Sequence, residues 1–251
     1  MNTAQFYEEN GYAVLTGIMS AQQISEMQSE TDALICRVKE AARDSSFLWG
    51  GKWLSDEERG KLEIDGVHDP QFHSAAFSRL LMGCNSVWDA VEQIIGPNIQ
   101  LHHTKLIAKQ PGVGAPFPMH QDKPYFPHEK DSMMAAYFHF DDGTIENGCL
   151  HVVPGSHRLG DLPVMPDGLY LDPAQYNLGN SVPLEAKAGD VVLFSYLTIH
   201  GSGNNVSERQ RRNWLVQVRA ADDLPTVSCH HSRGQGMMIR GVDPLVRMTE
   251  L

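Results

Sequence analysis

Two stretches of the chain carry residues able to hold a metal ion together. One is His120-Gln121-Asp122. The other is His200, at the end of the apolar run Val191-Val192-Leu193-Phe194-Ser195-Tyr196-Leu197-Thr198-Ile199. Two imidazoles and one carboxylate are the ligand set that holds iron(II) on one face, leaving the rest of its coordination sphere open. A cosubstrate and O2 can then bind beside each other. On a strand, residues two apart point to one face, so His120 and Asp122 are expected to reach one ion. Taken singly the signals are weak. A His-x-Asp after Pro118 arises often by chance, and a histidine at a strand end more often bonds a neighbouring loop.

A third element is the run Arg211-Arg212-Asn213-Trp214-Leu215-Val216-Gln217-Val218-Arg219. Alternation places Arg211, Asn213, Leu215, Gln217 and Arg219 on one face, and Arg212, Trp214, Val216 and Val218 on the other. The second face suits a core. The first suits a wet cavity or solvent. A guanidinium in a cavity matches a carboxylate at two points; the plainer reading is a solvated basic turn of Arg209, Arg211 and Arg212. The stretch 99–109 likewise sets His103, Lys105, Ile107 and Lys109 on one face. Lys105 or His103 then touches an anionic cosubstrate or substrate, unless this is an edge strand with solvated lysines. Lys123 and Tyr125 follow the metal motif and border the same pocket, with Gln217 deeper on the Arg211 face. His102, His128, His139 and His151 read as structural.

These residues need a frame. Thr3–Asn10 reads as a helical turn and Gly11–Leu15 as a strand. Ser20 caps a helix running to about Arg43, with Ile24, Met27, Leu34 and Val38 at helical spacing. Residues 44–69, with Trp49-Gly50-Gly51-Lys52-Trp53, lose periodicity and read as a loop or a lid. A second helical zone covers 70–95 and stops at Gly96-Pro97. From residue 98 the texture changes to strands at 99–109, 133–141, 149–153, 182–187, 190–197 and 212–220, punctuated by Gly and Pro. Many short strands separated by turns mean a sandwich or a barrel.

The 251 residues suit one domain with a full core. A formal net charge of -11 argues against a nucleic-acid or anionic-membrane partner, either of which needs a basic face. No apolar run is long enough to span a bilayer. The N-terminus has neither a basic start nor an apolar core, so a cytoplasmic protein is expected. Cys36, Cys84, Cys149 and Cys229 form no Cys-x-x-Cys pair and read as reduced thiols.

Four segments occur in an order that resembles the phytanoyl-CoA dioxygenase family of Fe(II)/2-oxoglutarate-dependent oxygenases. They are His120-Gln121-Asp122 with Tyr125-Phe126; Asn147-Gly148-Cys149-Leu150 through Pro154-Gly155-Ser156-His157; Gly189-Asp190 with Val192 and Phe194; and His200-Gly201-Ser202 with Asn205 through Arg211. The match covers about residues 100–220. The resemblance implies a double-stranded β-helix, a cupin-like jelly roll with N-terminal helices. It implies that His120, Asp122 and His200 hold Fe(II), and that Arg211 and Ser202 hold the distal carboxylate of 2-oxoglutarate, with O2 as second cosubstrate. Tyr137 stands where many members have a Trp near the cosubstrate. His157, Asn147 and Gly148 are expected to be scaffold. Relatives with Gly or Ala at the carboxylate position take halide there; Asp122 favours hydroxylation. The expectation is thus a single oxygenase domain over 1–251: helical support and lid (1–97), jelly-roll core (98–222) and a C-terminal tail (223–251). It would hydroxylate an unactivated C–H of a small-molecule substrate. Desaturation, cyclisation and a non-redox cupin-like metal-binding protein are the alternatives.

Overall fold

The computed structural model describes residues 2–41, 57, 61, 65–228 and 231–246. Among them, two antiparallel sheets face each other. The larger runs β1 (Tyr12–Leu15), β8 (Val191–Ser195), β5 (Met134–His139), β10 (Arg211–Ala220), β3 (Ile99–Lys109) and β11 (Met238–Arg240), with β2 (Asp65–His68) also paired to β3. The smaller runs β4 (Phe117–His120), β9 (His200–Ser202), β6 (Leu150–Val152) and β7 (Val182–Leu184). This is a mainly β jelly roll with N-terminal helices. The helices are α1 (Thr3–Asn10), α2 (Ala21–Glu40), α3 (Ala75–Gly83) and α4 (Asn85–Ile95). No helix among the described residues is long and apolar enough to cross a membrane.

The alternation of the large sheet sorts its residues into two cores. Met134, Ala136 and Phe138 of β5, Val191 and Leu193 of β8, and Trp214, Val216 and Val218 of β10 face the helices. They pack with Phe77, Trp88 and Leu34 into one cluster. The intervening residues Ala135, Tyr137, Val192 and Phe194 face the smaller sheet and meet Leu150 and Val152. On β3 the parity changes: Ile99 and Leu101 face the helices, but so do Leu106 and Ala108. A bulge is responsible, since Gln217 pairs with His103 while Val218 pairs with Leu101, leaving His102 extra. Past this bulge His103, Lys105, Ile107 and Lys109 all point inward. β3 is buried along its whole length between β10 and β2, so the solvated edge strand is excluded.

Local signals start the helices where expected. Asn2 and Ser20 each form a capping box, with Gln5 and Gln23. α1 ends at Gly11, whose φ of 78° is left-handed. A side chain there would meet His157 and Thr198 at 2.4 and 2.5 Å. Only glycine lets this corner press on the loop leading to His200. The Gly11 carbonyl accepts from Ser195 N and Thr198 Oγ1 in that loop.

Several elements differ from the expectation. α2 stops at Glu40. The zone 70–95 is a 3-10 turn (Pro70–Phe72) and two helices broken at Cys84. Residues 65–68, read as loop, form β2, because β3 offers them an open edge. β4, β9 and β11 have too few residues for a periodic signal. Trp49, Gly50, Gly51 and Trp53, on which a lid was expected, lie outside the described residues, as does Cys229. Cys36, Cys84 and Cys149 are free thiols.

Candidate metal and cosubstrate site

His120 ends β4 and His200 opens β9, and the two face each other across the β4–β9 ladder. Asp122 is not on the strand. The chain leaves β4 after His120, and Asp122 sits in helical conformation at the start of a 3-10 turn over Lys123–Tyr125. Its carboxylate reaches the histidines through this turn and not by strand alternation. Its amide is anchored to the Tyr196 carbonyl at 2.8 Å, tying the turn to the His200 loop.

His120 Nε2 lies 3.5 Å and His200 Nε2 3.7 Å from Asp122 Oδ1. The three ligating atoms lie within 4.8 Å of one another. Each Nδ1 meets a backbone carbonyl, Pro118 at 2.7 Å for His120 and Thr198 at 2.9 Å for His200. A carbonyl only accepts, so Nδ1 carries the proton and the Nε2 lone pairs converge. Gln217 Nε2 donates to Asp122 Oδ2 at 2.6 Å, fixing the plane of the carboxylate. Burial lowers the His200 pKa to about 4, with His120 adding to the effect. Burial raises that of Asp122, but His200, His120 and the Gln217 amide outweigh it and keep the carboxyl below its ordinary range. Two converging Nε2 atoms beside a carboxylate form a donor set that fits a divalent iron ion.

A second cluster lies beside it. Arg211 and Lys109 are directly opposite on β10 and β3, with 1% and 0% of their surface exposed. Lys109 Nζ donates to Ser202 Oγ at 2.7 Å and to the Gly203 carbonyl at 2.5 Å. Gly148, at φ 71°, backs onto that carbonyl so closely that a Cβ would sit 2.3 Å from it. Arg211 bonds the Tyr137 hydroxyl, while its Nε and Nη1 are buried without a hydrogen-bond partner. Burial and the neighbouring guanidinium push the Lys109 ammonium well below the usual lysine range. Like charges opposite each other in a ladder repel, and buried donors left unmade are costly. A carboxylate between them would relieve both. Ser202 is two residues from His200 on β9, so the corner lies roughly 7 Å along the strand from the metal ligands. That spacing fits a five-carbon dicarboxylate chelating the ion at its other end.

His120, Asp122, His200, Ser202, Tyr137, Lys105, His103, Tyr125 and Gln217 all line one cavity of about 670 Å³, its mouth included. Ile107, Phe117, Phe126, Leu150, Phe194 and Leu215 complete its walls. Lys123 is absent from this lining and is paired instead with Asp131 at 2.7 Å and Asp161 at 3.2 Å. Alternation alone places Lys109 on the correct face, but its pairing with Arg211 needs the β3–β10 register. Arg212 points the opposite way from Arg211, gripping Asp141 through Nε and Nη2 at 2.8 Å each. His157 bonds the Glu8 carbonyl, and Asn147 closes the turn from Asp142 to Thr144.

The jelly roll and its donor set define a 2-oxoglutarate-dependent non-haem iron dioxygenase. More particularly, the chain belongs to the phytanoyl-CoA dioxygenase (PhyH) family, whose profile matches residues 7–213. It is 27% identical over 261 residues to a probable alpha-ketoglutarate-dependent hypophosphite dioxygenase of Stutzerimonas stutzeri, covering 98% of this chain and 88% of that protein. It is 31% identical over 241 residues to the peroxisomal phytanoyl-CoA dioxygenase of Homo sapiens, covering 90% of this chain and 68% of that protein. Among solved structures, the non-heme alpha ketoglutarate dependent epimerase SnoN from nogalamycin biosynthesis shares the fold. Its TM-score is 0.71 at 24% identity, over 95% of this chain and 97% of that one.

Proposed function

We propose that this protein, as a single oxygenase domain, hydroxylates an unactivated C–H bond of a small-molecule substrate with Fe(II), 2-oxoglutarate and O2. In this reading His120, Asp122 and His200 hold the iron. Arg211, Lys109 and Ser202, with Tyr137 beside them, hold the distal carboxylate of 2-oxoglutarate. The observation that carries it is the buried Arg211–Lys109 pair, whose Lys109 bonds Ser202, two residues from His200 on β9. A non-redox metal-binding jelly roll has no use for two buried cations at that place.

Bound iron supplies the activation of O2 that organic side chains lack. The chain does the rest. His120 and His200 are held in one tautomer by the Pro118 and Thr198 carbonyls. Gln217 keeps one oxygen of Asp122 toward them. The corner at Arg211 would orient the cosubstrate, and Ile107, Phe117 and Leu215 line the same cavity as the three ligands. These walls exclude water from the reacting C–H.

The names of the relatives include phytanoyl-CoA and hypophosphite, so the family leaves the substrate open. The test is O2 consumption and succinate release by the Fe(II)-loaded protein with 2-oxoglutarate across a metabolite library. Coupled turnover on at least one compound, with an added oxygen in the product, is expected. Absence of both O2 uptake and succinate, with or without any compound, would sink the reading.

A further inference from the structure

Of the three ligands, Asp122 is the one that no strand holds. His120 and His200 are fixed opposite each other by the β4–β9 ladder. Asp122 stands at the head of the 3-10 turn that follows β4. Two amides fasten that turn: those of Asp122 and Lys123 donate to the Tyr196 carbonyl at 2.8 and 3.2 Å. Lys123 and Tyr196 are then joined a second time, through their side chains. Asp131 Oδ1 accepts from the Tyr196 hydroxyl and lies 2.7 Å from Lys123 Nζ. The contacts close a ring that runs from the Lys123 amide to the Tyr196 carbonyl, from the Tyr196 hydroxyl to Asp131, and from Asp131 back to the Lys123 ammonium.

The members of the ring differ in their surroundings. Tyr196 is fully buried among Phe126, Met133 and Leu197, which makes its hydroxyl a fixed point. The Lys123 side chain is 16% exposed and that of Asp131 37%. A second partner of Lys123, Asp161 at 3.2 Å, is more exposed still. Ion pairs as open to water as these add little to overall stability. What the ring does is remove freedom from a short turn. Asp131 and Asp69 are the two non-glycine residues, among those described, with left-handed backbone, Asp131 at φ 54°. Such a conformation persists where the surroundings hold it. At Asp131 it presents one carboxylate oxygen to both Tyr196 and Lys123.

We propose that Lys123 and Asp131 are positioning residues for Asp122. With Tyr196 they lock the turn, so that the Asp122 carboxylate stays within reach of the two imidazoles. Neither lines the cavity, and both act through the backbone of the turn. Gln121, on the other side of Asp122, anchors the chain separately, donating to the carbonyls of Leu197 and Gly160. Opening the ring therefore loosens the turn and does not detach it. The inference rests on the iron reading above.

The test compares Asp131→Asn and Lys123→Met with the wild type. Asparagine tolerates the left-handed conformation and still accepts from Tyr196, but gives up the charge that faces Lys123. Fe(II) affinity is measured without O2 by competition with a chelator. Amide deuterium exchange across 119–126 and the thermal midpoint are measured on the metal-free protein. Each variant should bind iron about tenfold more weakly, the lower end of what loss of a ligand-orienting group costs. Exchange should quicken within 119–126 while the midpoint stays close to that of the wild type. The double variant should be no worse than either single one, because both open the same ring. Lys123→Arg, which keeps the charge, should restore most of the affinity. Wild-type iron affinity in both variants would overturn the proposal. So would additive losses in the double variant, or a loss of iron that comes with a lowered midpoint and faster exchange along the whole chain, since that is a general loss of structure. A wild type that binds no Fe(II) would overturn the iron reading and this proposal with it.

Discussion

Arg211 and Lys109 face each other across the β10–β3 ladder, two buried basic side chains in register with no acidic side chain among the described residues bonded to either. Such a pair costs stability in the free protein and is repaid when an anion enters. Arg211→Lys keeps the charge and loses the planar fork. Its expected effect is a loss of about 1.5–3 kcal/mol in 2-oxoglutarate binding, or about one to two decades. Lys109→Met should weaken 2-oxoglutarate similarly, yet leave the thermal midpoint of the cosubstrate-free protein equal or higher. Titration of the charge-transfer band and a melt without 2-oxoglutarate measure the two effects. Unchanged affinity in both variants would move the carboxylate site elsewhere.

The metal ligands give a different signature. His120→Ala and His200→Ala should lose Fe(II) binding and turnover while remaining folded, because both rings line a cavity and do not fill the core. Far-UV circular dichroism with a bound-iron assay checks this. Wild-type turnover in both variants would refute the assignment. Asp122→Gly should lose hydroxylation while retaining some iron through the two imidazoles.

Gln217 does not need to touch the ion to matter. Its amide holds Asp122 Oδ2 at 2.6 Å, so only Oδ1 faces the histidines. Gln217→Leu keeps the volume and frees the carboxylate to turn. A ten- to hundredfold loss in iron affinity is expected, about the usual effect of removing a group that orients a ligand. Iron titration by competition with a chelator would show it. Gln217→Glu, which cannot donate when ionised, should fail to rescue.

His139 sets a pH limit on stability that is independent of the metal. It is completely buried, and burial, aided by Arg211, pushes its pKa from 6.5 down to about 4. Below pH 6.5 the unfolded chain takes up a proton on this ring and the folded chain does not. Stability therefore falls as pH drops from 6.5 toward about 4, by on the order of 3 kcal/mol in full. Urea unfolding at about pH 7 and about pH 5 should show the loss, and His139→Gln should show less of it. Equal pH dependence in the two proteins would assign the acid sensitivity to other groups.

The sequence by itself determined the chemistry-bearing types and the strands long enough to carry a pattern. β10 was legible because its residues alternate over ten positions, and β3 because Lys105, Ile107 and Lys109 alternate with Leu106 and Ala108 past its bulge; alternation is a local property of an extended chain. The helix start at Ser20 was legible for the same reason: a cap bonds its own first turn. The family segments named His120, Asp122 and His200 before any geometry. What only the tertiary structure decided are the relationships between distant segments. Asp122 reaches the histidines through a turn held by Tyr196, and no strand period predicts that. β2 and β11 form because β3 has an open edge, while their own few residues have no periodicity to read. The bulge at His102 flips the parity of β3, and register across β10 brings Lys109 to Arg211. Pairing energy between strands depends on partners far away in the chain. The pocket for the cosubstrate, the carboxylate grip of Gln217 and the inward turn of Lys105 were therefore fixed only when the sheets closed.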